Sequence, residues 1–405
     1  MNRNLIKEEN DPFTVEGIHY ATGKHVSIEI ENGIIGHIEE SSGIEKKSSK
    51  VFISPGLIDN QLNGYQGIDF SGDSFTTEGM KIAIKSIWRD GVTTFLPTLI
   101  TNSHPNLIRN FKVLAESLKD NSIAESIPGF HLEGPYLSTE TGFFGCHPVS
   151  LLRKPSWDEF SEYQAAAGGK IIQVTIAPEL EGAMDFIEKC TQNGINVSLG
   201  HTNATKEQIY LAVEKGARSS THLGNGCANF INRHKNPLWP QLANDLLTPS
   251  IIADGHHLLP EEIEVFYKVK GPENLIITSD VNHLIGMPPG DYFYMGSAVT
   301  YTDDGLVKNT GLNCLAGASM PLKRGVETMM NYTGCTLGEA INLASRNVAK
   351  VYNLNDRGTL TPGKRADLIL FEKEGNKLII KSTYLGGKLV YQKNRTNELT
   401  NPLTQ

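Results

Sequence analysis

The sequence contains no uninterrupted apolar run of eighteen or more residues, so no membrane-spanning helix is expected. Its opening stretch, MNRNLIKEENDPF, lacks the apolar segment that marks a secretory leader. Cysteine is sparse. Cys146, Cys190, Cys227, Cys314 and Cys335 are too few and too scattered for a disulfide framework, and none forms a Cys-x-x-Cys pair. Their odd number fits reduced thiols and a cytoplasmic location. Positive charge is in deficit: 37 Lys and Arg against 45 Asp and Glu leave a net charge of −8. That argues against a general nucleic-acid or anionic-membrane binder. No repeat of solenoid length stands out, and no Gly-x-Gly-x-x-Gly follows the first strand, which weakens a dinucleotide-binding reading.

The 405 residues, 39% hydrophobic and 20% charged, suffice for one large globular unit and a smaller one. At the N-terminal end, His25-Val-Ser-Ile-Glu-Ile-Glu alternates apolar and polar residues, and Asn32-Gly33 supplies a hairpin turn before Ile34-Ile-Gly-His-Ile. Near the other end, Asp367-Leu-Ile-Leu-Phe, Leu378-Ile-Ile-Lys and Lys388-Leu-Val-Tyr read as short strands, with Gly386-Gly387 as a turn. One small β-sandwich built from both termini, residues 1–54 plus 359–405, accounts for the two segments. Residues 55–358 alternate helices (77–89, 106–119, 206–214) with near-continuous apolar strands, the mark of a parallel sheet covered on both faces. Periodicity alone does not separate a barrel from an open sheet.

The positions of the polar residues do favour one. Asp59, Gln61 and Asn63 end the first strand; His131 and Glu133 end the strand before Gly134-Pro135. His201, His222 and Asp280 each follow a later strand. In a (β/α)₈ TIM-like barrel those ends converge on one active site. A single strand-end histidine is unremarkable, but one Glu, two His and one Asp at successive ends suit a metal centre. Catalytic zinc sites use about three nitrogen or oxygen ligands and keep one position open. Glu133, His201 and His222 supply the three, leaving Asp280 as proton acceptor and donor.

These blocks resemble the N-acetylglucosamine-6-phosphate deacetylases of the amidohydrolase superfamily. The resemblance rests on Pro55-Gly-Leu-Ile-Asp-Asn-Gln-Leu-Asn-Gly, His131-Leu-Glu-Gly-Pro-Tyr, Gly200-His-Thr-Asn-Ala-Thr, Thr221-His-Leu and the exit block Pro362-Gly-Lys-Arg-Ala-Asp. It implies metal ligation by Glu133, His201 and His222, with Asp280 as general acid/base. Many superfamily members carry His-x-His after the first strand; here Gln61 and Asn63 replace it, which implies one divalent metal per chain, Zn²⁺ or Fe²⁺. The resemblance further implies that His147 polarises the acetyl carbonyl. Asn225 and Gly226 belong to a sugar-phosphate loop, Arg233 and His257 contact phosphate, and Leu315, Ala316 and Gly317 contact substrate. The implied partners are an amino-sugar substrate and a second copy of the chain in a homodimer. Segments 223–240 and 281–290 depart from the family pattern and mark a divergent subgroup.

The plainer readings are these. His131 is a partner of the ligands or a packing residue. Arg233, His234 and Lys235 form a cluster of the kind that is usually solvated surface. Met287, Met295 and Met320 are gap-fillers. Of the adjacent His256 and His257, one faces the site. Three functions follow: a sugar N-deacetylase, a hydrolase of the same fold acting on another N-acyl or cyclic amide, or a non-catalytic barrel. The last would have eroded the ligands or the acid/base, and all four residues are present.

Overall fold

A computed structural model describes residues 12–40 and 50–393. Most of the opening stretch read against a secretory leader lies outside them. Eight parallel strands form the central sheet. In spatial order they are Leu57–Leu62, Val92–Ile100, Phe130–Glu133, Ile171–Ile176, Asn196–Leu199, Ser219–Ser220, Thr248–Ile252 and Ile276–Thr278. Spatial order equals chain order, as expected when each strand is followed by a crossover that returns to its neighbour. The first and last strands are drawn together by Asp59. Its Oδ1 accepts from the Thr278 hydroxyl at 3.0 Å, the Ser279 amide at 3.1 Å and the Gln61 amide at 3.3 Å. Leu62 and Val281 then form a parallel bridge, and the Asp280 amide donates to the Gln61 carbonyl at 3.1 Å. The sheet is thereby nearly closed into a barrel.

Helices Thr77–Arg89 and Lys206–Glu214 occupy the ranges their periodicity indicates. The second expected helix runs His104–Ser117, where Ser103 caps it. The cap accepts from the Asn106 amide, satisfying a donor that the first turn leaves open. Barrel strands are shorter than their apolar runs. Ile127-Pro-Gly, for example, precedes the strand Phe130–Glu133 rather than joining it.

A second sheet of seven strands draws on both ends of the chain: Phe13–His19, His25–Glu31, Ile34–Glu40 and Val51–Pro55 from one, Leu368–Glu374, Lys377–Leu385 and Lys388–Gln392 from the other. Asn32 and Gly33 take positive φ at 50° and 76°, the turn their sequence demands. The two units meet at Gly56, whose amide donates to the Asp367 carbonyl at 2.9 Å. A Cβ there would lie 2.2 Å from the Thr93 side chain, so the crossing requires glycine. Asp367 itself binds Arg365 and the Gly386 amide, which explains the exit block.

An antiparallel insertion follows the last barrel strand: Gly290–Tyr294, Ser297–Tyr301, Val307–Asn309 and Cys314–Leu315. One expectation fails here. Cys146 and Cys314, 168 residues apart, are joined in a disulfide, while Cys190, Cys227 and Cys335 are free. Neither spacing nor an even count signals the pair, because the fold alone brings the 142–147 loop against the insertion. Among the described residues no helix is long and apolar enough to cross a membrane.

Phe371 is fully buried and stacks on Phe52 with ring centroids 5.5 Å apart, binding strands from the two ends of the chain. Truncating a buried aromatic costs roughly 3–5 kcal/mol. Phe371→Ala is therefore expected to lower the unfolding free energy by about that amount in urea titration, and a change below about 1 kcal/mol would show that this contact does not join them.

Candidate active site

The residues at the strand ends meet at the mouth of the barrel. Glu133 ends its strand, and His201, His222 and Asp280 each follow theirs by two positions. All four are buried. His201, His222 and Asp280 hold φ values of 51°, 30° and 49°. Left-handed backbone at three non-glycine residues is disfavoured and concentrates at functional sites.

Their donor atoms converge. His222 Nε2 lies 2.9 Å from Glu133 Oε1 and 3.2 Å from His201 Nε2, and His201 Nε2 lies 3.6 Å from Glu133 Oε1. The His201 Nδ1 is 2.9 Å from the Phe143 carbonyl oxygen, which only accepts. Nδ1 therefore carries the proton and Nε2 presents its lone pair to the cluster. Zinc–nitrogen bonds of about 2.0–2.1 Å in tetrahedral array place neighbouring donors about 3.3 Å apart, close to the observed spacings. The cluster can hold a metal. Glu133, His147 and His201 form an alternative grouping with donors within 4.8 Å. The grouping with His222 is tighter and has the ligand–ligand spacing a small cation needs. Gly226 packs directly on the His201 ring: a Cβ there would sit 2.8 Å from Nδ1.

The two amides do not open toward a second metal. The Gln61 Nε2 donates to Glu133 Oε1 and to Asp280 Oδ1, both at 2.9 Å. The Asn63 Nδ2 donates to Asp280 Oδ1 at 2.8 Å. Carboxylates only accept, which fixes the orientation of both amides. Burial, then the negative charge of Glu133, pushes the Asp280 carboxyl up to about 6. Burial also opposes ionisation of Glu133, but its bonds to His201 and His222 outweigh it and hold that carboxyl well below its usual value. The His147 ring is pushed down to about 3 by burial and then by the charge of His201, and its Nδ1 is 2.7 Å from the Thr101 hydroxyl. His131 bonds neither the ligands nor Asp280; its ring lies between the hydroxyls of Thr175, at 2.8 Å, and Thr98, at 3.2 Å. It belongs to a hydroxyl network below the site that continues through Thr221 to Ser198.

A cavity of about 840 Å³ opens above the cluster. Asn63, Glu133, His147, His201, His222, Asn225, Gly226, His257, Asp280, Leu315 and Gly317 reach it. Gln61 lies beneath, and Ala316 is buried with its carbonyl accepting from Asn282. Arg233 is exposed and is not among the residues lining the cavity of its own chain; its carbonyl accepts from the Trp239 indole. His257 faces the cavity and His256 does not. Met295, read as filler, also lines it.

The sequence reading did not single out Asp254, although it ends the strand run before His256-His257. Its carboxylate accepts from the His257 Nδ1 at 2.8 Å and from the amides of His256 and His257 at 2.8 and 3.0 Å. It fixes the His257 ring, whose Nε2 has no partner among the described residues.

A model of the amidohydrolase family matches residues 52–390, and the chain belongs to that family. Its sequence is 30% identical over 361 residues to the N-acetylglucosamine-6-phosphate deacetylase of Lysinibacillus sphaericus, covering 89% of this chain and 91% of the relative. The N-acetylglucosamine-6-phosphate deacetylase structure from Thermotoga maritima superposes with a TM-score of 0.84 at 27% identity, covering 94% of this chain and all of that one. A mutant deacetylase from Mycobacterium smegmatis, in complex with N-acetyl-D-glucosamine-6-phosphate, does so at 0.80 and 26% identity, covering 90% and 94%.

Asp254 gives a pH test. Burial opposes its ionisation, but His257 and the backbone amides lower its carboxyl to about 2. A depressed folded-state value contributes stability that is present above the unfolded value near 4 and lost as pH falls toward 2. The stability difference between wild type and Asp254→Asn is expected to be about 2 kcal/mol at pH 7 and to shrink from pH 4 to pH 2. Urea unfolding across that range measures it; a difference independent of pH would contradict the assignment.

Proposed function

We propose that this protein hydrolyses the acetamide of an N-acetylated amino sugar, N-acetylglucosamine 6-phosphate first among them, releasing acetate and the amino sugar phosphate. The observation that carries the reading is the buried cluster of Glu133, His201 and His222 beside Asp280, at the base of a cavity large enough for a sugar. The relatives that bear this activity in their names match along nearly the whole chain.

In this reading Glu133, His201 and His222 hold one divalent cation, Zn²⁺ with Fe²⁺ as the rival. Such an ion supplies Lewis acidity and makes a water at its open position acidic enough to be deprotonated near neutral pH. The rest falls to the protein. Asp280 Oδ1 is occupied by the Gln61 and Asn63 amides, which leaves Oδ2 to carry the proton. A carboxyl whose pKa is raised to about 6 exchanges protons at neutral pH, so it takes one from the attacking water and returns it to the departing nitrogen. In this reading the neutral His147 accepts from the Thr101 hydroxyl at Nδ1, the tautomer that leaves its Nε2–H to donate to the acetyl carbonyl. Asn225, Gly226, Leu315 and Gly317 contact the sugar. Asn225 Nδ2 is a buried donor without a partner among the described residues, as a substrate-binding group requires.

The homodimer belongs to the same proposal. Phe230 is 96% exposed and Trp239 52%, on the segment that carries Arg233. A second copy covering this face brings Arg233 toward the partner's cavity.

Acetate release from N-acetylglucosamine 6-phosphate tests the reading. Asp280→Asn is expected to fold but to lose about 10²- to 10⁴-fold in kcat, because an amide cannot hold the proton between the two steps. Near-wild-type turnover in that variant would remove Asp280 from the mechanism.

A further inference from the structure

Among the described residues one Lys or Arg side chain lines the cavity, and neither composition nor motif pointed to it. Lys308 lies in the short strand Val307–Asn309 of the antiparallel insertion and lines the cavity with Leu306, Cys314 and Leu315. Its register explains why. Lys308 pairs with Leu315 on one side and Thr300 on the other, so the three side chains share a face. The next residue in that row, Asp291, is engaged by the Thr300 hydroxyl at 2.8 Å. Among the described residues no hydrogen bond or ion pair engages the Lys308 ammonium, although Glu261 and Glu262 also line the cavity. The Glu262 carboxylate is occupied by the Leu259 amide at 2.8 Å.

The insertion is held against the loop that carries His257. His256 Nε2 lies 3.0 Å from the Asp304 carbonyl oxygen, four residues before Lys308. The disulfide from Cys314 to Cys146 fixes the neighbouring strand to the loop of His147. Lys308 thus rises from a braced sheet into the cavity that also takes the His257 imidazole, whose Nδ1 is committed to Asp254 and whose Nε2 has no partner among the described residues. An unpaired ammonium in a cavity that also holds several carboxylates is placed to draw an anionic group to one end of it.

Resting on the reading of the substrate as an amino-sugar phosphate, we infer that Lys308 is a specificity-determining residue. Its ammonium binds the phosphate of the substrate from within the same chain, together with His257. Arg233 does not line that cavity in its own chain, but with Lys308 in place recognition does not depend on a second copy alone.

The test compares wild type, Lys308→Met and Lys308→Arg on N-acetylglucosamine 6-phosphate and on N-acetylglucosamine, by initial rates of acetate release. Lys308 is exposed on its strand, and turnover of the free sugar reports the fold of each variant. For the phosphorylated sugar, kcat/KM is expected to fall roughly 10- to 150-fold in Lys308→Met, the range of one charge-assisted hydrogen bond, and to stay within about threefold in Lys308→Arg. The loss should sit in KM, because the phosphate is remote from the reacting bond. Rates on the free sugar should change less than about twofold. Inhibition of the same assay by inorganic phosphate should weaken in parallel. If Lys308→Met keeps the wild-type preference for the phosphorylated sugar, the inference is overturned while the substrate reading stands. If wild type itself shows no such preference, the substrate reading fails and takes the inference with it.

Discussion

Two buried carboxylates, Glu133 and Asp280, share one amide donor, and the rest of the site follows from that arrangement. Charges of the same sign cannot both be removed from water without compensation. The compensation here is unequal. Glu133 bonds two imidazoles and stays ionised, whereas Asp280 is hydrogen-bonded by the Gln61 and Asn63 amides, and burial with the charge of Glu133 raises its carboxyl to about 6. The same pair of groups thus separates into a fixed anion that suits a cation and a carboxyl that can exchange a proton. Gln61 makes the separation possible by donating both of its amide hydrogens, one to each acid. Its own oxygen, and that of Asn63, remain without partners among the described residues.

The arrangement also shapes the backbone. The barrel closes where the Asp280 amide meets the Gln61 carbonyl, so the strand that supplies the bridging amide is joined to the residue that it steadies. Positive φ at His201, His222 and Asp280 turns each side chain inward at the end of its strand. Gly226 packs against His201 on the cavity side, while Phe143 fixes its tautomer from behind. Around this floor stand segments that wall the cavity: the 142–147 loop, the loop of His257, and the insertion. They are cross-braced by the Cys146–Cys314 disulfide and by the contact of His256 with Asp304.

The floor was legible in the sequence and the walls were not. Glu133, His201, His222 and Asp280 were visible because apolar strands end at polar residues in register, a pattern that survives whatever the loops do. The terminal sheet was visible through Asn32-Gly33 and Gly386-Gly387. The disulfide and the positions of Asp254 and Lys308 were missed because they depend on which loops touch. Lys308 looks like an ordinary surface lysine until the register with Leu315 turns it toward the cavity. Arg233, assigned by resemblance, lies outside that cavity in its own chain. Resemblance carries a residue type to a position without carrying the quaternary contact that would complete it.

If Gln61 and Asn63 occupy the space between the carboxylates as donors, a second cation has no ligands to bind there. Elemental analysis of the purified protein, dialysed against metal-free buffer after loading with excess zinc, addresses this directly. The expected result is about one tightly held zinc per chain, lost when His201 and His222 are both replaced by alanine. Two tightly held ions per chain, or full occupancy in that double variant, would contradict the account.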